Sequence, residues 1–283
     1  MINFTIDHIA DPAHLAKLVK ALIPVMDAAG DAIMMVKEAS KAGGENQNVK
    51  ANEKSDGSPV TYADARAEAI ILPALARLAP DIQVISEEHA ASHSLAPTEA
   101  YFLVDPLDGT KEFMKIDDQG AFTVNIGLVH QSVPVMGLVL APAREALYWG
   151  YQGGGAFCRS GAISGPISGP ISDAISVRDV PPSGAVAVAS ASHRDAETDA
   201  WLAEHGISQT TSIGSSLKFA LVAAGQADVY PRFGPTMEWD TAAGDAVLRA
   251  AGGKVCRPDG KMFAYGKPEW RNGSFIASGR FET

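Results

Sequence analysis

Val104-Asp105-Pro106-Leu107-Asp108-Gly109-Thr110 follows a short apolar run, Tyr101-Phe102-Leu103, and sets two carboxylates three residues apart. The run predicts a strand, Pro106 and Gly109 predict a tight turn, and Thr110 predicts the start of a short helix. Such a turn aims Asp105 and Asp108 at one point. With the Leu107 carbonyl they offer the hard oxygen ligands that Mg²⁺ prefers. The amides of Gly109 and Thr110, at a helix N-terminus, suit a phosphate oxygen. An Asx-turn followed by a helix cap would use the same residues, so the stretch alone decides nothing and its partners elsewhere matter.

Partners stand on both sides. Upstream, Gln83–Ser86 predicts a second strand that ends on Glu87 and Glu88, and downstream Glu238-Trp239-Asp240 precedes a helix predicted over 241–251. Glu87, Asp105, Asp108 and Asp240 brought together would repel one another without cations, so their convergence implies metal. Read singly, Glu88 is equally a solvated surface residue and Asp240 equally a helix N-cap.

The surrounding pattern is that of an α/β chain. Asp11-Pro12 reads as an N-cap with proline at the first helical position, followed by apolar residues at helical spacing from Leu15 to Met34 and a bend expected at Pro24. A second helix is predicted over 63–78. Apolar runs at 122–129, 133–140 and 146–151 predict antiparallel strands of one sheet, with Gly153-Gly154-Gly155 as a hairpin turn, since it lacks the Lys-Ser/Thr of a P-loop. From 160 to 182 the composition turns to Ser, Gly, Pro and Ile, with Gly-Pro-Ile-Ser repeated, which predicts a surface excursion. Beyond it a strand at 185–191, helices at 196–205, 215–224 and 241–251, and a strand at 227–230 predict a second α/β unit. The expected division is 1–182 and 183–283, with the acidic cluster at the junction.

Bulk properties exclude several classes. The 283 residues carry a net charge of −10, which disfavours a polymeric nucleic acid as partner but not a small phosphorylated substrate approached through bound cations. No apolar run approaches the roughly 20 residues of a membrane span, and the start of the chain lacks the basic and apolar regions of a signal peptide, so a cytoplasmic protein is expected. The two cysteines, Cys158 and Cys256, lie far apart without metal-ligand or disulfide spacing. Six histidines, at 8, 14, 89, 93, 130 and 205, show no ligand spacing and are expected at the surface or in loops.

Four segments together resemble the ordered signatures of the inositol-monophosphatase superfamily: Lys54-Ser55-Asp56-Gly57-Ser58-Pro59-Val60-Thr61-Tyr62-Ala63-Asp64, Ser86-Glu87-Glu88, Asp105-Pro106-Leu107-Asp108-Gly109-Thr110 and Trp239-Asp240-Thr241-Ala242-Ala243-Gly244. Within it, Asp108-Gly109-Thr110-Lys111-Glu112-Phe113, the Phe122–Leu128 run, Gly214-Ser215-Ser216-Leu217-Lys218-Phe219 and the Tyr230–Thr236 run resemble the CysQ-type 3′(2′),5′-bisphosphate nucleotidases. The resemblance implies a layered α+β sandwich. It implies two or three Mg²⁺ ions: Glu87, Asp105 and the Leu107 carbonyl around one, and Asp105, Asp108 and Asp240 around a second. It also implies that Thr110 and Asp64 orient the attacking water. Substrate contacts are expected from Glu87, Leu107, Asp108, Gly109, Thr110, Lys111, Ser216, Lys218, Arg232 and Asp240. The implied reaction removes the 3′-phosphate of adenosine 3′,5′-bisphosphate, with 3′-phosphoadenylyl sulfate as a further substrate and inhibition by Li⁺. An inositol or sugar monophosphatase with the same metal site, or a non-catalytic phosphate-binding module, stay open as alternatives. The sequence leaves the oligomeric state open, and a peripheral place at the cytoplasmic face of the inner membrane has no visible anchor.

Overall fold

The computed structural model of the chain describes residues 3–41, 52–53, 59–60, 62–115, 120–160, 173–190 and 195–282. The segment 54–58, Thr61 and the Gly-Pro-Ile-Ser repeat lie outside the described residues.

Helix α1 spans Pro12–Lys41. The Asp11 carboxylate accepts the Ala13 amide at 2.9 Å and so caps its first turn. The helix continues through Pro24. Its buried stripe, Leu15, Leu18, Leu22, Met26, Ala29 and Ile33, packs with Ala67, Ile71 and Leu75 of α2 (Tyr62–Leu78).

Both helices cover one face of a seven-stranded sheet whose strands follow chain order. They are β1 (Gln83–Ser86), β2 (Ala100–Asp108), β3 (Thr123–His130), β4 (Val133–Ala141), β5 (Ala146–Tyr151), β6 (Gly155–Ser160) and β7 (Asp173–Ile175). Only the β1–β2 pair is parallel among them. The expected excursion over 160–182 is thus corrected at its far end, because 173–175 adds an edge strand. Low hydrophobicity concealed it, since an edge strand need bury little.

The second sheet is five-stranded and mixed: β8 (Val186–Ser190), β9 (Gln209–Ile213), β10 (Val229–Arg232), β11 (Lys254–Cys256) and β12 (Phe275–Ser278), in the order β9-β8-β10-β12-β11. Helices α5 (Leu217–Ala223) and α6 (Ala242–Ala250) lie between the sheets. There Leu103, Val139 and Tyr148 of the first sheet share one core with Phe219 of α5, Val247 of α6 and Phe275 of the second sheet. Helix α4 (Ala196–Glu204) covers the outer face through Trp201 and Leu202, packed with Ala187, Val229 and Ile276. The result is a layered α/β sandwich.

The position of α6 depends on a row of glycines. Gly127, Gly137 and Gly150 face one another across β3, β4 and β5. A Cβ on Gly137 would stand 2.1 Å from the Ala243 carbonyl oxygen, and one on Gly150 would stand 2.7 Å from Ala250 Cβ. No side chain fits there, so the start of α6 lies directly against the sheet. Asp240 precedes that start by two residues.

Candidate active site

The first carboxylates are aligned by an irregular strand rather than by the tight turn expected. Strand β2 runs on through Asp108, and its register against β3 passes from Asp105↔Asn125 to Asp108↔Thr123. Three steps on β2 therefore oppose two on β3, the signature of a bulge. In a regular strand residues three apart point to opposite faces. The extra residue removes that opposition and lets Asp105 and Asp108 serve one cleft. Pro106, which has no N–H to offer the ladder, falls inside the bulge. Gly109 then turns the chain with φ +90°, where a Cβ would meet the Ala121 carbonyl oxygen at 3.1 Å, and Thr110 opens α3 (Thr110–Met114).

Carboxylate oxygens of Glu87, Asp105 and Asp240 all lie within 4.8 Å of one another. One oxygen of each aspartate in the cleft is fixed from its own side. Asp105 Oδ1 accepts the Leu107 amide at 3.0 Å, Asp108 Oδ2 accepts the Ser216 amide at 2.6 Å and hydroxyl at 2.9 Å, and Asp240 Oδ2 accepts the Met237 amide at 2.8 Å. Asp105 Oδ2 is buried with no hydrogen-bond partner among the described residues. A buried ionised oxygen without a partner is costly, and a cation is the group that satisfies it. The donor set therefore suits a hard metal ion.

Electrostatics agree. Burial, followed by the charges of Glu87, Asp108, Asp240 and Asp64, pushes Asp105 well above the usual carboxylate range. Asp240 is raised in the same way by burial and then by Asp108 and Glu87. Asp108 rises less, because the Lys218 charge and the Ser216 donors oppose the effect of burial. Asp64, buried in the first turn of α2, is close enough to contribute to Asp105 although it does not line the cleft.

The cleft encloses about 760 Å³ and its walls include Glu87, Asp105, Leu107, Asp108, Gly109, Thr110, Lys111, Lys218, Arg232 and Asp240. Of the expected contacts Ser216 is buried behind the wall, holding Asp108 and the Asp240 carbonyl, the latter through its hydroxyl at 2.5 Å. Thr110 Oγ1 donates to the Leu107 carbonyl at 3.3 Å. Lys218 is buried, its Nζ donates to the Ser215 carbonyl at 2.5 Å, and burial, only partly offset by Asp108, lowers it to about 8. Arg232 donates to the carbonyls of Gly234 and Pro235, both at 3.0 Å. Asp240 is not the cap of α6, whose N-cap is Thr241.

Other residues at the site gave little sequence signal. Asn125 and Thr123, opposite Asp105 and Asp108, are fully buried and their side-chain polar atoms have no hydrogen-bond partner among the described residues. His93, expected at the surface or in a loop, stacks on Trp239 with ring centroids 4.8 Å apart and contacts the Ser86 carbonyl through Nε2 at 2.8 Å, so it ties the Glu87 turn to the Asp240 turn. Glu269 and Arg271 also line the cleft. All five are separated from their partners in the sequence, and only the fold makes the pairing visible.

A layered α/β sandwich with a carboxylate-lined cleft between its sheets defines a metal-dependent phosphatase class, and the chain belongs to the inositol monophosphatase family, whose model matches residues 14–281. Within that family it is 46% identical to the 3′(2′),5′-bisphosphate nucleotidase CysQ of Salmonella typhimurium over 84% of this chain and 89% of that protein. It is 45% identical to the CysQ of Escherichia coli K12 over the same shares. Among solved structures, CysQ of Bacteroides thetaiotaomicron superposes with a TM-score of 0.77 at 37% identity, covering 94% of this chain and 98% of that one. The inositol monophosphatase of Anabaena, at 23% identity and a TM-score of 0.67, covers 94% and 91% and shares the fold.

Proposed function

We propose that the chain is a Mg²⁺-dependent 3′(2′),5′-bisphosphate nucleotidase that hydrolyses the 3′-phosphate of adenosine 3′,5′-bisphosphate to give AMP and phosphate, with 3′-phosphoadenylyl sulfate as a further substrate. The observations that carry the metal chemistry are the meeting of Glu87, Asp105 and Asp240 and the buried Oδ2 of Asp105, which has no hydrogen-bond partner among the described residues. The nucleotide substrate is supported by the relatives named CysQ.

In this reading Glu87, Asp105 and the Leu107 carbonyl hold one Mg²⁺, and Asp105, Asp108 and Asp240 hold a second, with room in the family for a third. When bound, the ions offset the carboxylate charge, acidify water and polarise the phosphate oxygens. The chain supplies position and proton movement. Thr110 Oγ1, at the start of α3, takes a proton from the attacking water and passes its own to Asp64. As the water oxygen forms its bond to phosphorus, the bond to the 3′-oxygen breaks, and that oxygen takes a proton from a solvent water to leave as the ribose hydroxyl. The Gly109 and Thr110 amides at the helix start bind a phosphate oxygen. Lys111, Lys218 and Arg232 are candidate cations for the second phosphate, and Arg232 is preferred among them because a guanidinium binds phosphate in bidentate fashion.

The chain is read as two subdomains, 1–182 and 183–283, that meet at the cluster: Glu87, Asp105 and Asp108 come from the first and Asp240 from the second. Among the described residues no helix is long and apolar enough to cross a membrane. Cytoplasmic residence goes with a nucleotide substrate of this kind. Product analysis tests the assignment. Mg²⁺-dependent turnover of adenosine 3′,5′-bisphosphate should give AMP with the 5′-phosphate retained, and 3′-AMP as the product would contradict it.

A further inference from the structure

Arg271 stands apart from the other cations of the cleft. Lys218 and Arg232 both donate inward to backbone carbonyls. Arg271 is exposed, lines the cleft, and its guanidinium has no hydrogen bond or ion pair among the described residues. In a chain of net charge −10, a cleft-lining guanidinium left without a carboxylate is a place for an anion from outside.

Its position is fixed by more than its neighbours in sequence. Arg271 pairs with Met237 in a short antiparallel ribbon, three residues before Asp240. The Glu238 amide donates to the Trp270 carbonyl at 2.7 Å, and the Glu238 carboxylate accepts the amides of Gly266 and Lys267, both at 2.9 Å. Lys267 Nζ closes this unit on Glu238 Oε1 at 2.8 Å. Asn272, next to Arg271, donates to the Met237 carbonyl at 2.8 Å and to Thr241 Oγ1 at 2.9 Å. Arg271 and the Asp240 turn therefore belong to one hydrogen-bonded body.

The segment that presents Arg271 is held in a conformation of low intrinsic stability. Glu269 and Trp270 have φ of 55° and 56°, unfavourable for side chains of their size. Trp270 is anchored there by burial, by an indole N–H to the His93 carbonyl at 3.0 Å, and by an edge contact with Tyr101 at 5.4 Å. Strain kept in place by such anchoring is a mark of a site. The same rim carries Glu269, so no broad positive field draws anions here, and an anion held at this point must be held by a specific contact.

We propose that Arg271 is the outer anion contact of the cleft, binding the anionic group of the substrate that lies farthest from the carboxylate cluster. This rests on the nucleotidase reading and deepens it: a cation carried on a backbone segment fixed to the Asp240 turn selects ligands with two separated anionic ends over those with one.

The test compares wild type with Arg271→Ala and Arg271→Lys, on the whole protein with Mg²⁺, using adenosine 3′,5′-bisphosphate and 3′-AMP as substrates. Arg271→Ala should raise KM for the bisphosphate about tenfold, the scale of one lost charged hydrogen bond, and leave 3′-AMP within about twofold. Arg271→Lys should recover part of the loss, since it keeps the charge without the fork. An unchanged KM for the bisphosphate, or an equal rise on both substrates, overturns the proposal. Calorimetric binding of the bisphosphate in the presence of Ca²⁺ separates the two readings. If wild type binds but does not hydrolyse it, the nucleotidase reading fails while a weaker Arg271→Ala complex still supports the contact. If wild type neither binds nor hydrolyses it, both fall.

Discussion

The amide and the hydroxyl of Ser216 both donate to a single oxygen of Asp108, at 2.6 and 2.9 Å, across 108 residues of sequence. The single proton of that hydroxyl is shared with the Asp240 carbonyl, so one small residue in front of α5 joins the two turns that carry the outer carboxylates. Partners behind a metal ligand set its direction, and losing one typically costs about 10- to 100-fold in metal affinity or activity. Ser216→Ala keeps the amide donor and loses the hydroxyl. It should raise the Mg²⁺ concentration for half-maximal activity about tenfold, the lower end of that range, with little change in Tm. An unchanged Mg²⁺ requirement would show that the hydroxyl does no positioning.

Thr110→Ala separates proton movement from metal binding. Thr110 opens α3, and its hydroxyl donates to the Leu107 carbonyl. Loss of a positioned proton-transfer group costs about 10²-fold or more in kcat, and Mg²⁺ affinity measured by calorimetry should stay near that of wild type. Normal turnover would reduce Thr110 to a helix-start residue.

Burial, with mutual repulsion added, raises Asp105 and Asp240 well above the ordinary carboxylate value. In the chelated protein a raised folded-state pKa contributes stability that is present below the unfolded value of about 4 and is lost as pH climbs through the raised one. The chelated protein should therefore melt at a higher temperature near about pH 5 than near about pH 8 through these groups. Mg²⁺ at the higher pH should recover the difference, because an ion bound only by the folded state stabilises it. A chelated Tm that rises across this window would contradict the electrostatic account of the cluster.

Arg232 is only 8% exposed yet lines the cleft, with part of its guanidinium committed to the Gly234 and Pro235 carbonyls. Arg232→Ala should weaken adenosine 3′,5′-bisphosphate by roughly 1.5–3 kcal/mol, the range for a hydrogen bond to a charged group, while 3′-AMP is hardly affected. Equal losses on both substrates, read from kcat/KM, would place Arg232 in the bracing of the 233–235 loop and leave Lys111, Lys218 or Arg271 as the reader.

Much of this organisation is legible in the chain. Gln83–Ser86 and Ala146–Tyr151 have the same bounds as expected, because short β-branched or aromatic runs between turn residues leave little alternative. The acidic cluster was legible too, since carboxylates at strand ends are costly unless something unites them. The bulge was not, because Pro106 reads equally well as a turn, and only the shifted pairing with Asn125 and Thr123 shows that the strand goes on. Arg271 and His93 were hidden for a different reason. Nothing local marks them, and their relation to Asp240 arises from Trp270 and Trp239 packing that no spacing predicts.

The central claim is that a carboxylate cluster serves a nucleotide bisphosphate. The most direct measurement is phosphate release from adenosine 3′,5′-bisphosphate and from inositol 1-phosphate, side by side, with Mg²⁺ and again after exhaustive chelation. The account predicts Mg²⁺-dependent release with kcat/KM for the bisphosphate at least about 100-fold above that for inositol phosphate, the scale of losing a second charged contact. Comparable turnover of the two substrates, or full activity in the chelated enzyme, would contradict it.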